Sequence, residues 1–187
     1  TKKNIEWMRN IGGFKVEWVD NAQARKLEPQ VNPKCIGALY EQSPGGLEPY
    51  RFVLAAMQAG ELNGVEVVQR RGTGLVGEGG RCTGVTLENG RIDAELVVLA
   101  MGPWTQQASA WCGADIPVRP LKGQILRLRS ENEPLNLAVN YDHNYVATKP
   151  DGLIWTGTTE EEAGFDENIT VAARDNIMAD FLKMIPG

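Results

Sequence analysis

The run Glu95-Leu96-Val97-Val98-Leu99-Ala100-Met101-Gly102-Pro103-Trp104-Thr105 constrains the fold more than any other stretch. Its apolar centre, with polar residues only at the edge, predicts a strand buried on both faces of a sheet. Gly102 breaks it, Pro103 fixes the turn, and Thr105 to Trp111 has the composition of a following helix. A buried strand that ends in glycine and feeds a helix leaves bare amides at the carboxyl edge of a sheet, where open α/β sheets hold bound groups. An ordinary core strand followed by a helix has the same signature, and this segment alone does not separate the two.

Composition narrows the remaining classes. A chain of 187 residues, 42% of them apolar, can bury a real core as one domain or two lobes. The net charge is −5 and no basic run exceeds Arg70-Arg71, which argues against a nucleic-acid partner. No apolar segment approaches the roughly 20 residues that a membrane-spanning helix needs. Cys35, Cys82 and Cys112 show no metal-ligand spacing, which fits free, inert core thiols in a reducing cytoplasm. The chain starts at Thr1 and stops after an amphipathic helix, a pattern expected of an internal piece of a longer protein.

Helical spacing runs from Lys2 to Ile11, ending at Gly12-Gly13. Asp20 is placed to cap a helix through Leu27, and Cys35 to Tyr40 reads as a strand before the turn Ser43-Pro44-Gly45-Gly46. Pro49 opens a helix to about Asn63, with Gly64 just beyond it. Strands are predicted at Val65 to Val68 and Cys82 to Leu87, the latter meeting the hairpin signal Asn89-Gly90. Beyond Pro120 come strands at Gln124 to Arg129, Leu135 to Asn140, Asn144 to Thr148 and Leu153 to Gly157, with Pro150-Asp151-Gly152 turning the last pair. Thr170 caps a final helix with Ile177, Met178, Phe181, Leu182 and Ile185 on one face.

Gly72-Thr73-Gly74-Leu75-Val76-Gly77 matches a GxGxxG pattern, yet Gly77-Glu78-Gly79-Gly80 follows instead of the helix whose N-terminus would hold a pyrophosphate. Each of those glycines costs a helix about 1 kcal/mol relative to alanine. We therefore read the segment as strand and turn of a small β-meander.

Three features join the strand-glycine-tryptophan segment in a fixed order. They are Pro117-Val118-Arg119-Pro120-Leu121-Lys122-Gly123-Gln124, the aromatic hairpin Tyr141-Asp142-His143-Asn144-Tyr145-Val146 reaching Gly157-Thr158-Thr159, and Glu162-Ala163-Gly164-Phe165-Asp166. Upstream stand Leu27-Glu28-Pro29, Gly37-Ala38-Leu39-Tyr40 and Gly45-Gly46-Leu47-Glu48-Pro49. Together these resemble the FAD-dependent amino-acid oxidase superfamily, in particular its glycine oxidase, sarcosine oxidase and D-amino-acid dehydrogenase branch. The similarity covers essentially the whole chain.

The resemblance implies an α+β fold: a large antiparallel-rich mixed sheet of a substrate domain with covering helices, plus part of an FAD-binding α/β domain with a small β-meander. Residues 1–43 and 114–187 would belong to the substrate domain and 44–113 to the FAD domain. It implies oxidation of the C–N bond of a small amino acid or secondary amine, with hydride passing to the flavin. Thr73, Ala100, Met101, Gly102 and Trp104 would lie along FAD, and a glycine at 102 suits close backbone approach. Tyr145, with Tyr141 as a second candidate, would hold the substrate carboxylate as a neutral donor, the alternative for both being a core aromatic. Lys122 would lie near the site or be a solvated strand-start lysine, Glu160 to Glu162 would be a solvated loop, and the only histidine, His143, a hairpin residue. The family's GxGxxG and its carboxylate-binding arginine have no counterpart in these residues, so this piece is expected to hold FAD weakly or not at all. The parent is expected to act in the cytoplasm without nucleic acid, with peripheral membrane contact left open. Rival readings are a hydroxy-acid or glycerol-phosphate dehydrogenase of the same fold, and a non-catalytic binding module.

Overall fold

The computed structural model describes residues 2–11, 15–42 and 45–187. In chain order the elements are α1 (Lys2–Ile11), β1 (Val16–Asp20), α2 (Asn21–Leu27), β2 (Gly37–Glu41), α3 (Pro49–Leu62), β3 (Gly72–Glu78), β4 (Arg81–Leu87) and β5 (Gly90–Asp93). A 3-10 helix (Gly102–Ala108) and α4 (Ser109–Cys112) follow, then β6 (Ile125–Leu128), β7 (Val139–Tyr141), β8 (Asn144–Thr148), β9 (Ile154–Gly157) and α5 (Val171–Met184). The α+β architecture expected from the sequence is present. By contact the chain divides into two units, residues 1–45 with 121–187, and residues 46–120.

In the first unit an antiparallel sheet runs in the order β6-β9-β8-β7. Its register aligns Leu126 with Thr156 and Thr156 with Val146, so these share one face with Leu128, Ile154 and Thr148. That face carries the core: Val146, Ile154, Leu135, Met184 and Ile185 are buried, with Leu128, Val139 and Phe181 packed against them. Burying side chains of this size contributes about 1.5–3 kcal/mol each. The helix α5 covers the face, because Ala173, Ile177 and Met184 recur at helical spacing and are buried. Leu182, expected on that face, is instead exposed, and its position falls one residue off the buried stripe. Thr170 caps α5 as expected, its hydroxyl accepting from Ala173 N at 3.2 Å.

Strands β1 and β2 pair antiparallel around α2, whose cap is a full box between Asp20 and Gln23. The buried carboxylate of Glu28 ties this corner to the sheet, accepting from Gln30 N at 3.0 Å and Leu137 N at 3.1 Å. Of the expected strand from Leu135 to Asn140 only Val139 and Asn140 join a ladder, which continues to Tyr141. The turns expected at Gly12-Gly13 and Ser43-Pro44 lie outside the described residues.

The second unit holds α3 and the meander β3-β4-β5, in which Gly72 to Gly77 is strand, followed by a turn with Gly79 and Gly80 at positive φ. No helix follows those glycines, as the sequence required. Asn89-Gly90 makes the hairpin, pairing Leu87 with Gly90.

Two expectations fail in this unit. Leu96 to Met101 is not a strand, and neither is Val65 to Val68. Leu96 is 80% and Val98 76% exposed. A strand is made by pairing its amides, and among the described residues no neighbour pairs with either run, so apolar composition alone leaves them as extended chain. The predicted helix from Thr105 to Trp111 is tighter at its start: a 3-10 helix to Ala108, then one α-helical turn.

Candidate functional site

Because Tyr145 alternates with Val146, the register puts its side chain on the face of the sheet that α5 does not cover. Gly157 stands directly across from it on β9, and Ile125 across from Gly157 on β6. One rank along the same face come Ala147, Trp155 and Arg127. Tyr145 is half-buried, and its phenol has no hydrogen-bond partner among the described residues. Burial pushes its pKa above the ordinary 10.0, so at neutral pH it is a proton donor with its valence open.

Tyr141 goes elsewhere. It pairs with Asn144, one residue out of phase with Tyr145, which assigns it to the opposite face, and it is 59% exposed. The two tyrosines are therefore not brought together, and Tyr141 is not a core aromatic. His143 follows Asp142, whose positive φ of 55° makes the hairpin tip, so it is a hairpin residue as expected, and it is solvent-exposed.

The open face also carries cationic groups that the sequence did not associate. The Arg127 guanidinium lies 5.0 Å and the Lys149 ammonium 5.5 Å from the Trp155 ring centroid. Asp151 offsets Arg127 at 2.7 Å. The Leu153 backbone amide, then Arg127, hold the Asp151 carboxyl below its ordinary range. Period-2 alternation puts Trp155 on a face with Gly157, but only the strand order reveals what stands beside it.

At the mouth of β6, Lys122 is not solvated. Its side chain is 10% exposed, donates to Asn168 O at 2.6 Å, and lies 3.9 Å from Glu161 and 3.8 Å from Asp166. Glu161 is likewise not a free loop charge: it accepts from Thr159 Oγ1 at 2.5 Å and Gln124 Nε2 at 2.7 Å. These bonds, followed by the Lys122 charge, hold its carboxyl below the ordinary range. Gln124 and Thr159 escaped sequence reasoning, since no spacing rule links a strand-start glutamine to a residue 35 positions later.

In the second unit Gly102 has φ +54° and open space where a Cβ would stand. Ala100, Gly102 and Trp104 are exposed, Met101 is half-buried, and the exposed Thr73 sits at a bulge of β3 with its hydroxyl 3.3 Å from Thr86 O. Cys112 is exposed rather than a core thiol, and Cys35 and Cys82 are half-buried. Among the described residues no group of His, Cys, Asp and Glu could hold a metal. A cavity of the first unit, about 1020 Å³, is lined by Glu28, Gln30, Asn132 and Asn136 and does not include Tyr145.

The family model for FAD dependent oxidoreductases matches residues 2–187, and the chain belongs to that family. It is 31% identical over 174 residues to the hydrogen cyanide synthase subunit HcnC of Pseudomonas aeruginosa, covering 91% of this chain and 42% of that protein. It is 34% identical over 114 residues to the glycine oxidase of Pseudomonas putida, covering 61% of this chain and 31% of that one. The crystal structure of glycine oxidase from Bacillus cereus shares the fold with a TM-score of 0.91 at 20% identity, over 98% of this chain and 51% of its own. The chain thus spans between about a third and a half of the length of these relatives.

Family membership makes FAD the group to test against these residues. Open backbone at Gly102, with Ala100 and Trp104 exposed two positions to either side and Met101 half-buried, leaves room for one flank of a flat cofactor. The glycines of β3 do not fit its pyrophosphate, because a strand runs through them and no helix N-terminus follows.

Proposed function

We propose that this chain supplies the substrate-binding sheet and one flank of the cofactor site of an FAD-dependent oxidoreductase that oxidises the C–N bond of a small amino acid or secondary amine. The observation that carries the reading is the Tyr145 phenol: half-buried, neutral, without a hydrogen-bond partner among the described residues, on the face that α5 leaves open. A half-buried neutral phenol can donate to an acceptor brought to this face, and a carboxylate oxygen makes the strongest such hydrogen bond.

Bound FAD would supply the two-electron acceptor. The backbone from Ala100 to Gly102, with Met101, Trp104 and Thr73, would lie along it. Tyr145 would donate to the substrate carboxylate and so fix the α-carbon, while Ile125, Ala147 and Trp155 keep water off that face. Relatives named glycine oxidase support a small amino acid as the substrate class.

The test uses the full-length protein loaded with flavin, mixed without oxygen with glycine, sarcosine, glycolate and glycerol 3-phosphate in turn. Loss of the oxidised-flavin absorbance with the amines, and not with the hydroxy compounds, is expected. Reduction by the hydroxy compounds alone would overturn the reading.

A further inference from the structure

Where β9 ends, the chain does not run free into solvent. Gln124 seizes it. Its backbone N donates to Thr159 Oγ1 at 2.9 Å, and its carbonyl accepts from Thr158 Oγ1 at 3.1 Å and from Thr159 N at 3.2 Å. Its side-chain amide donates to Glu161 Oε1 at 2.7 Å and Thr170 Oγ1 at 3.3 Å, while its side-chain oxygen accepts from Thr170 N at 2.9 Å. Two residues earlier, Lys122 and Glu161 exchange backbone hydrogen bonds at 3.0 and 2.9 Å. The Lys122 ammonium then reaches past Glu161 to Asp166 and the Asn168 carbonyl. Gly123 lies between them because a Cβ there would stand 3.0 Å from Thr158 Oγ1 and 3.2 Å from Thr159 O. A segment beginning at Thr158, the start of α5 and the mouth of β6 are thereby locked into one polar clasp.

The clasp starts one residue beyond Gly157, the register partner of Tyr145. Resting on the proposed role of Tyr145, the geometry points to Gln124 and Lys122 as positioning residues: they touch no substrate but fix the chain leaving β9 beside the phenol, and so set the width of the carboxylate site. A lysine whose side chain is only 10% exposed and a glutamine with both ends of its amide hydrogen-bonded tie Thr158, Thr159, Glu161, Asn168 and Thr170 together, and a displacement of about 1 Å transmitted from outside a site can cost up to 100-fold.

The test is made in the flavin-loaded, full-length protein with Gln124→Met, Lys122→Met and Lys122→Arg, each normalised to bound flavin. Two quantities are read: KM against kcat for the amine substrate, and the dissociation constant of acetate followed by its perturbation of the flavin spectrum. Gln124→Met and Lys122→Met should each raise both KM and the acetate constant about tenfold at nearly constant kcat, and Lys122→Arg should return to within about threefold of the parent. Should Gln124→Met not fold, Thr159→Val against Thr159→Ser carries the same contrast at the other side of the clasp. A lowered melting temperature with KM and acetate binding unmoved would overturn the positioning role. If Tyr145→Phe also leaves acetate binding unmoved, the failure belongs to the reading of Tyr145; if it weakens acetate binding while Gln124→Met does not, the failure is the clasp's alone.

Discussion

Tyr145 and Gly157 face each other across β8 and β9, so the strand position beside the phenol carries no side chain. That vacancy is fixed from the other side. A Cβ on Gly157 would stand 2.9 Å from Ile125 Cγ2 and 3.1 Å from the Gln124 carbonyl. The same glycine therefore leaves room next to Tyr145 and lets β9 lie close to β6.

Gly157→Ala should destabilise the protein by about 1–3 kcal/mol, since the backbone carbonyl of Gln124 cannot retreat without disturbing the clasp. Denaturant titration of the full-length protein checks this, and an unchanged midpoint would mean that β6 and β9 are not held at this separation.

Thr156 is fully buried on the core face, and its hydroxyl finds no partner among the described residues. Valine has the same shape without the polar atom. Thr156→Val should thus raise stability by about 1 kcal/mol by removing an unpaired buried hydroxyl, while leaving substrate binding alone. A fall in melting temperature would show that the hydroxyl is satisfied after all.

Acid should loosen the clasp before it unfolds the core. The carboxyl of Glu161 is held below its ordinary 4.5 by Thr159 and Gln124, and that of Asp166 below its ordinary 3.8 by the Asn168 amide, with Lys122 adding to both. Carboxyls with folded values depressed in this way contribute stability that is present above the unfolded values and is lost as pH falls through the folded ones. Melting temperature should decline as pH drops below about 4.5, and Glu161→Gln should flatten that decline. A melting curve that keeps its full acid dependence in Glu161→Gln would remove Glu161 from the account.

The caps, hairpin and helix spans were legible because their signals are local: Asp20 with Gln23, Asn89-Gly90, Pro49, Thr170. So was the rejection of the glycine pattern at 72–77, since a helix cannot start on Gly79-Gly80. Leu96 to Met101 misled because hydrophobicity reports what a segment could bury, whereas a strand also needs a neighbour. The site was half legible for a related reason. Tyr145 could be singled out in one hairpin, but that Tyr141 takes the other face depends on register, and Gln124, Trp155 and Arg127 join the sheet's two ends only through the strand order β6-β9-β8.

The most direct measurement is the pair KM and kcat for the amine substrate in Tyr145→Phe of the flavin-loaded, full-length protein. Removing one hydrogen bond to a carboxylate should raise KM about 10- to 100-fold while kcat changes less than threefold. An unchanged KM would contradict the assignment of this open sheet face as the place where the substrate is held.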